Sequence, residues 1–374
     1  MAESVKVIDP NSGTGYDYTC LFDWEAAQQA DIDTSNTQAV AKCRCTGGTA
    51  DTTILTIDGW TTSSSDFIKI WTDTTETYRH NGTFQTGNHY RFVHTNTCAI
   101  NVVEDFVRID GIAFNKTTGS SADDPSVYSN SGTSTSSLEV TNCVFKCSAT
   151  ETVGNYSSAI QQGWNKTGTA LIRNCIIYGW QFSSSTKTAA IWCEGGTWTV
   201  QNVTIVNSYI GLGNTSGTLT TTNVGMSNVT TATSGTIGQT TNSTTTPTFL
   251  NAAADDFHLD PTDVTWYDAG TNLSGTFTTD IDLQTRVTWD IGADEYIATS
   301  YIEQEGFRFR NDDGSETTAT WKANQDVNIT LAANTAFRLR FLLKATGNPD
   351  SIDAQVEARV KPSGGAFGAW EKIN

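Results

Sequence analysis

The stretch Leu138-Glu-Val-Thr-Asn-Cys-Val-Phe145 decides the fold, because the chain repeats its frame. Val107-Arg-Ile-Asp-Gly-Ile-Ala-Phe114 precedes it. Ala170-Leu-Ile-Arg-Asn-Cys-Ile-Ile177, Trp198-Thr-Val-Gln-Asn-Val-Thr-Ile205 and Leu219-Thr-Thr-Thr-Asn-Val-Gly-Met226 follow it. The fifth position holds Gly111, Asn142, Asn174, Asn202 and Asn223, at spacings of 31, 32, 28 and 21 residues. Apolar or small residues stand two and four places before it, and apolar residues one and three after it. That is a period of two on either side of a fixed break, hence two short strands joined by a sharp bend. Asparagine tolerates the left-handed backbone of such a bend, and its amide can bond the copies above and below. A further strand recurs in Ser158-Ala-Ile-Gln161 and Ala189-Ala-Ile-Trp192, 31 residues apart, and more loosely in Tyr209-Ile-Gly-Leu212. Two or three short strands per 21–32 residues make one coil of a parallel β-helix. A β-sandwich also alternates, but it gives no reason for a break at a similar offset five times.

Working outward, residues 39–43, 53–57, 67–70 and 90–93 extend the strand pattern upstream. Ahead of them Thr19–Gln29 reads as the one helix, with Leu21 and Trp24 on a common face and Thr19 as its N-cap. Such a helix would cover the exposed first coil. Residues 213–248 carry no charge and read as a thin last coil entering a loose connection. Residues 251–300 hold ten acidic side chains and one basic, Arg286; residues 301–374 hold ten and nine. In the latter, Phe307-Arg-Phe-Arg310 and Phe337-Arg-Leu-Arg-Phe341 alternate as half-buried strands do, with turns at Asn311–Gly314 and Pro362–Gly365. The expected organisation is an N-terminal strand and capping helix (1–35), a β-helix (36–250), an acidic closing segment (251–300) and a small antiparallel β-sandwich (301–374).

The pattern Asp256-Phe-His-Leu-Asp260, Asp268-Ala-Gly270, Asp280-Ile-Asp282, Arg286 and Asp290-Ile-Gly-Ala-Asp-Glu295 resembles the closing segment of bacterial and phage right-handed parallel β-helix proteins. Asp17–Thr19 and Trp24–Ala27 are similar to their opening. The run Phe307–Trp321 resembles C-terminal modules of tailed-phage virion structural proteins. The resemblance implies an all-β, right-handed parallel β-helix assembled as a homotrimer.

Composition narrows function. Forty acidic against 22 basic residues, a net charge of −18, argue against nucleic acid or an anionic membrane as partner. No apolar run reaches the roughly 20 residues of a membrane helix, and the start has no secretory signal character. A cytoplasmically made product is expected, with its eight cysteines reduced and with Cys143 and Cys175 stacked. The cysteines have no histidines at zinc-site spacing.

Residues 101–250 contain only eight acidic side chains, and no carboxylate recurs on adjacent coils as a hydrolase would need. Asp110 reads as structural, Asp123-Asp124 as a solvated loop, and no residue is assigned as catalytic or as a metal ligand. Calcium at Asp280, Asp282, Asp290 and Asp294 lacks any known loop spacing, and Arg286 paired with one of them is an equally good account. Trp192 and Trp198 read as core. Trp164 and Trp180, which follow turn glycines, and Glu194 are candidates for glycan contact. Arg308, Arg310, Arg338 and Arg340 are candidates for docking on partner carboxylates, since 251–300 presents too negative a surface.

The expected function is a non-enzymatic phage virion protein, displayed on the surface as a capsid decoration (cement) or tail protein and partnered by capsid or tail proteins. The alternatives are a tailspike-type protein that binds or degrades host glycan, and a bacterial surface adhesin.

Overall fold

The computed structural model describes residues 2–95, 97–117, 124–133, 136–149, 157–182, 188–297, 301–315, 317–332, 335–346, 357–358 and 371–372. The chain divides into two compact units, Met1–Tyr296 and Ile297–Asn374.

The first unit is a right-handed parallel β-helix whose coils present three faces. The first face stacks Ala2–Ile8, Thr37–Cys43, Ile68–Thr72, Val107–Asp110, Ser137–Thr141, the first half of Thr169–Tyr178, the start of Thr197–Asn214, Thr218–Thr222 and Gly238–Thr240. The second follows the bend: Arg91–His94, Ala113–Lys116, Val144–Cys147, then Cys175–Tyr178, Val203–Val206 and Gly225–Ser227. The third stacks Leu55–Ile57, Ile100–Val102, Val127–Ser129, Ser158–Gln162 and Ala189–Cys193, and ends on the later parts of Thr197–Asn214 and Gly225–Ser234. Every pairing within these three stacks is parallel, so each inward side chain meets its counterpart one coil away. Ile109, Val140, Ile172 and Val200 form one such buried column. Phe92, Phe114 and Phe145 form another, the last two stacked at 4.8 Å and 3°. Offset stacking of this kind adds about 0.5–1.5 kcal/mol to plain burial.

The bends explain the repeat. Gly111, Asn142, Asn174, Asn202 and Asn223 have φ of 72°, 51°, 49°, 49° and 57°, the left-handed region that glycine and asparagine reach most cheaply. A second bend of the same kind occurs at Asn207 and Asn228, where φ is 53° and 52°. There the second face runs straight into the third, and Asn228 Nδ2 donates to Asn207 Oδ1 at 2.6 Å.

Three local expectations need correction. The helix spans Leu21–Gln28 and starts from Cys20, not Thr19. Its leading amide Leu21 N donates to the Asp51 carboxylate at 2.9 Å instead of to a capping hydroxyl. Residues 213–248 give more than a thin last coil, since Thr218–Thr222, Gly225–Ser234 and Gly238–Thr240 continue the stacks in register, and the irregular connection is confined to 241–248. Asp124 is not solvated: it is fully buried, 2.6 Å from Lys116 Nζ, while Asp123 lies outside the described residues. In the acidic closing segment, residues 256–296 run back along the outside of the second face as a strap, placing Phe257, Ile281 and Ala293 on Ala113, Val144, Ile176 and Val206.

In the second unit, Tyr301–Asn311 pairs antiparallel with Phe337–Thr346, and Glu357–Ala358 pairs antiparallel with Glu371–Lys372. The turn proposed at Pro362–Gly365 lies outside the described residues.

Candidate functional site

The bends and the strap meet along one line of polar contacts. Asn142 Nδ2 donates to Asp110 Oδ1 at 2.6 Å, Asn174 Nδ2 to Asn142 Oδ1 at 3.1 Å, and Asn223 Nδ2 to Asn202 Oδ1 at 3.1 Å. Between these two pairs the strap takes over. Arg286 Nη2 donates to Asn174 Oδ1 at 3.2 Å, and Asn202 Nδ2 donates to the carbonyls of Asp290 and Gly292, each at 3.1 Å. Asp110 is held at its other edge by Arg79, at 3.1 and 3.2 Å. Burial alone would raise its pKa, but the Arg79 charge and these hydrogen bonds bring it below the ordinary value.

Arg286 is buried and pairs with Glu295 at 3.2 Å, not with an aspartate of the proposed calcium set. Glu295 Oε1 accepts the backbone N–H groups of Val287, Thr288 and Trp289, and its Oε2 accepts that of Asp290. Asp280 accepts N–H groups from Asp282, Gln284 and Glu295; Asp290 accepts those of Asp268 and Tyr296. Asp263, Asp280, Asp290, Asp294 and Glu295 are buried, so half of the ten acidic groups in 251–300 contribute structure and not an anionic surface.

One group among the described residues has ligand atoms close enough to surround a cation: His258, Asp282 and Asp294, all within 4.8 Å of one another. The four aspartates proposed for calcium therefore do not converge as one set. His258 Nε2 lies 2.9 Å from Asp282 and its Nδ1 2.5 Å from Asp256. Burial works to neutralise this imidazole, but its contacts with Asp282, Asp294 and Asp256 prevail and raise its pKa to about 10. A protonated imidazole donates at both nitrogens, which suits the carboxylates on either side of this ring. Gly82 closes the cluster from the solenoid side. A Cβ there would stand 2.3 Å from His258 Nε2, and its φ of +76° already favours glycine.

The glycan candidates separate. Trp164 is 59% exposed at its turn, whereas Trp180 is fully buried in the solenoid core. Gly179, at φ +92°, turns the chain so that the next side chain points inward. Glu194 is also buried and accepts from Trp192 Nε1 at 3.2 Å, so neither it nor Trp180 meets a ligand at the surface. Trp198 lies in the core. Trp192 is buried in a smaller cluster with Ala189 and Ile210.

The docking arginines share one face of their ribbon, opposite Phe307, Phe309, Leu339 and Phe341. Arg308, Arg310 and Arg340 gather over Trp321, at 4.1, 4.8 and 6.0 Å from its ring centre. Arg310 is buried and donates to the Ala319 carbonyl, and Arg338 pairs with Asp312 at 2.8 Å. Four outward guanidiniums awaiting partner carboxylates are thus not what the unit presents.

Sequence reasoning missed a pocket of about 490 Å³ at the end of the second face, lined by Lys146, Ser148, Tyr178, Gln181, Phe182, Asn207 and Asp255 among others. Its walls come from three coils and the strap, so no local motif announces it.

No family model matches the sequence, and none of the curated proteins matches it. Among solved structures the chain is similar to the pectin methylesterase from Aspergillus niger in deglycosylated form. The identity is 14%, over 68% of this chain and 95% of that one, with a TM-score of 0.37. The same enzyme in penultimately deglycosylated form gives 15% identity over 73% and 93%, with a TM-score of 0.37. Neither overlap gives any residue of this chain a role.

Proposed function

We propose that this chain is a non-enzymatic structural protein of a tailed-phage virion, displayed on capsid or tail as a homotrimer with the solenoid as its outward body. The observation that carries the non-enzymatic part is how the carboxylates are used. Asp110 is taken by Arg79, Thr141 and Asn142, Asp124 by Lys116, and Glu139 stands 3.5 Å from Arg108. Glu194 and Glu295 are committed to indole and backbone N–H groups. Acids used this way hold coils together and are not poised for general acid or base work, which needs a reachable group in a cleft. The phage context rests on the closing and C-terminal sequence patterns.

Mass spectrometry of purified virions, with cryo-electron microscopy to place the chain, tests the proposal. The expected result is a stoichiometric surface component in trimers. Absence from the particle, or light scattering that gives a monomer at micromolar concentration, overturns it. Deleting residues 301–374 should leave a folded solenoid that no longer incorporates. Normal occupancy of the truncated chain would move docking to the first unit.

A glycan-binding, tailspike-type role is the second reading, and the pocket beside Tyr178 is the observation that favours it. Hydrolysis of host polysaccharide by the purified chain would replace the first reading with an enzymatic one.

A further inference from the structure

We propose that a groove on the outside of the first face binds one acidic monosaccharide unit, a hexuronate, through Arg173. This rests on the glycan-binding reading and gives it a site apart from the pocket beside Tyr178 and from the exposed Trp164.

The groove crosses three successive coils at their outward positions. Ser137, Thr169 and Thr197 are register partners along one row, and Glu139, Leu171 and Thr199 along the next. A third row sets Arg173 beside Gln201, and Thr276 of the strap completes the lining. Every residue of these rows is at least partly exposed, so the groove is open to solvent along its length. Its volume of about 330 Å³ lies at the small end of the range for ligand pockets and suits a single sugar ring.

Two features point to a ligand. The first is how Arg173 is held. Its Nε and Nη2 both donate to Gln201 Oε1, at 3.2 and 2.9 Å, and its guanidinium lies over the Phe277 ring, 4.3 Å from the centre. These contacts orient the group before anything binds. Neither brings a negative charge. Among the described residues no carboxylate stands within ion-pair distance of Arg173, and nothing accepts from its Nη1. The Glu139 carboxylate favours the charge from a distance but pairs with Arg108, at 3.5 Å. Partial burial works against the cation, a cost that an anion in the groove would offset.

The second feature is the balance of charge and hydroxyls. Glu139 and Arg108 cancel, so Arg173 leaves the groove with one net positive charge, which matches a monoanion. A planar carboxylate fits the guanidinium fork, whereas a phosphate dianion would stay half neutralised. The serine and threonine hydroxyls of the first two rows donate or accept as sugar hydroxyls require, and Glu139 accepts from them. Leu171, between these groups, supplies apolar surface for the C–H face of the ring.

The test uses the full chain with D-glucuronate and D-galacturonate, with D-glucose and D-galactose as uncharged counterparts, and with acetate and inorganic phosphate. Calorimetry should show at least one hexuronate binding more tightly than its neutral counterpart and than either simple anion, with an affinity that falls as salt is raised. R173Q should weaken that binding about tenfold or more, as loss of a charged hydrogen bond does. T199Y fills the middle of the groove and leaves Arg173 in place, so its weaker binding checks the site even where R173Q folds poorly. Equal binding of a hexuronate and its neutral counterpart, a preference for acetate or phosphate, or unaltered binding by both variants overturns the proposal. Neutral-sugar binding that R173Q leaves intact removes this site and spares the glycan-binding reading, whereas silence from every saccharide removes both.

Discussion

Arg286 Nη2 donates to Asn174 Oδ1 at 3.2 Å across 112 residues of sequence, joining the returning strap to the bend of a mid-solenoid coil. The same guanidinium also reaches Glu295 and the carbonyls of Gly292, Ala293 and Asp294. It is one buried cation whose Nη1 and Nη2 bond to both the solenoid and the strap, so neither arrangement is complete without the other.

Removing that cation should therefore be costly. R286M leaves Glu295 buried and unpaired, and breaking a buried pair in this way destabilises by about 3–5 kcal/mol. Urea unfolding followed by circular dichroism should show an unfolding free energy lower by that amount. A shift below about 1 kcal/mol would mean that the strap is held by its apolar contacts alone.

The left-handed bends predict an order of substitutions. N174G keeps the backbone inexpensive and loses only amide bonds. N174A loses the same bonds and adds about 1–2 kcal/mol for a Cβ at positive φ. Denaturation of the two variants should rank alanine as the less stable. Equal stability would remove backbone conformation as the reason for asparagine at this position.

Stability should fall as pH rises. Burial, with the Asp294 and Asp282 charges adding to it, raises Asp280 to about 7. Burial and the Glu295 charge raise Asp290 to about 7 against the N–H group of Asp268, which pulls it down. Both aspartates hold a proton in the folded chain that the unfolded chain releases near the ordinary value of 3.8, so their contribution is lost between about pH 4 and 7. His258, raised from 6.5 to about 10, contributes fully below 6.5 and loses that contribution as pH climbs through 10. Melting temperatures measured from pH 5 to about 10 should decline throughout, and H258Q should flatten the upper part of the curve. A rise in stability over that range would contradict the assignment.

Cysteine accessibility gives an independent check on coil packing. Cys20 and Cys98 are partly exposed thiols, and the other six cysteines are buried thiols. Burial and the neighbouring Cys175 thiol push Cys143 well above its usual pKa, which keeps it an unreactive thiol. Alkylation of the native chain, read by peptide mass spectrometry, should label Cys20 and Cys98 alone and reach the rest only after denaturation. Rapid labelling of Cys143 or Cys175 would be incompatible with the stacked coils.

The coil was legible in the sequence because its determinants are local. A period of two on either side of Asn142, Asn174, Asn202 and Asn223 encodes inward and outward faces, and a residue that accepts positive φ encodes the bend. Stacking then follows from repetition, since each coil presents the edge that the next one needs. What the tertiary structure decided is where residues after 250 go. Their composition describes ten carboxylates and one arginine, but not that five of the acids would turn inward onto backbone N–H groups. Nor does it show Arg286 meeting Asn174. Burial of a charge depends on partners far along the chain, and the side chain alone carries no signal of them. The same holds for Trp180 and Tyr178. Gly179 directs one ring into the core, and Phe257 of the strap packs on the other, an outcome set by several coils and a returning segment that no single stretch of sequence contains.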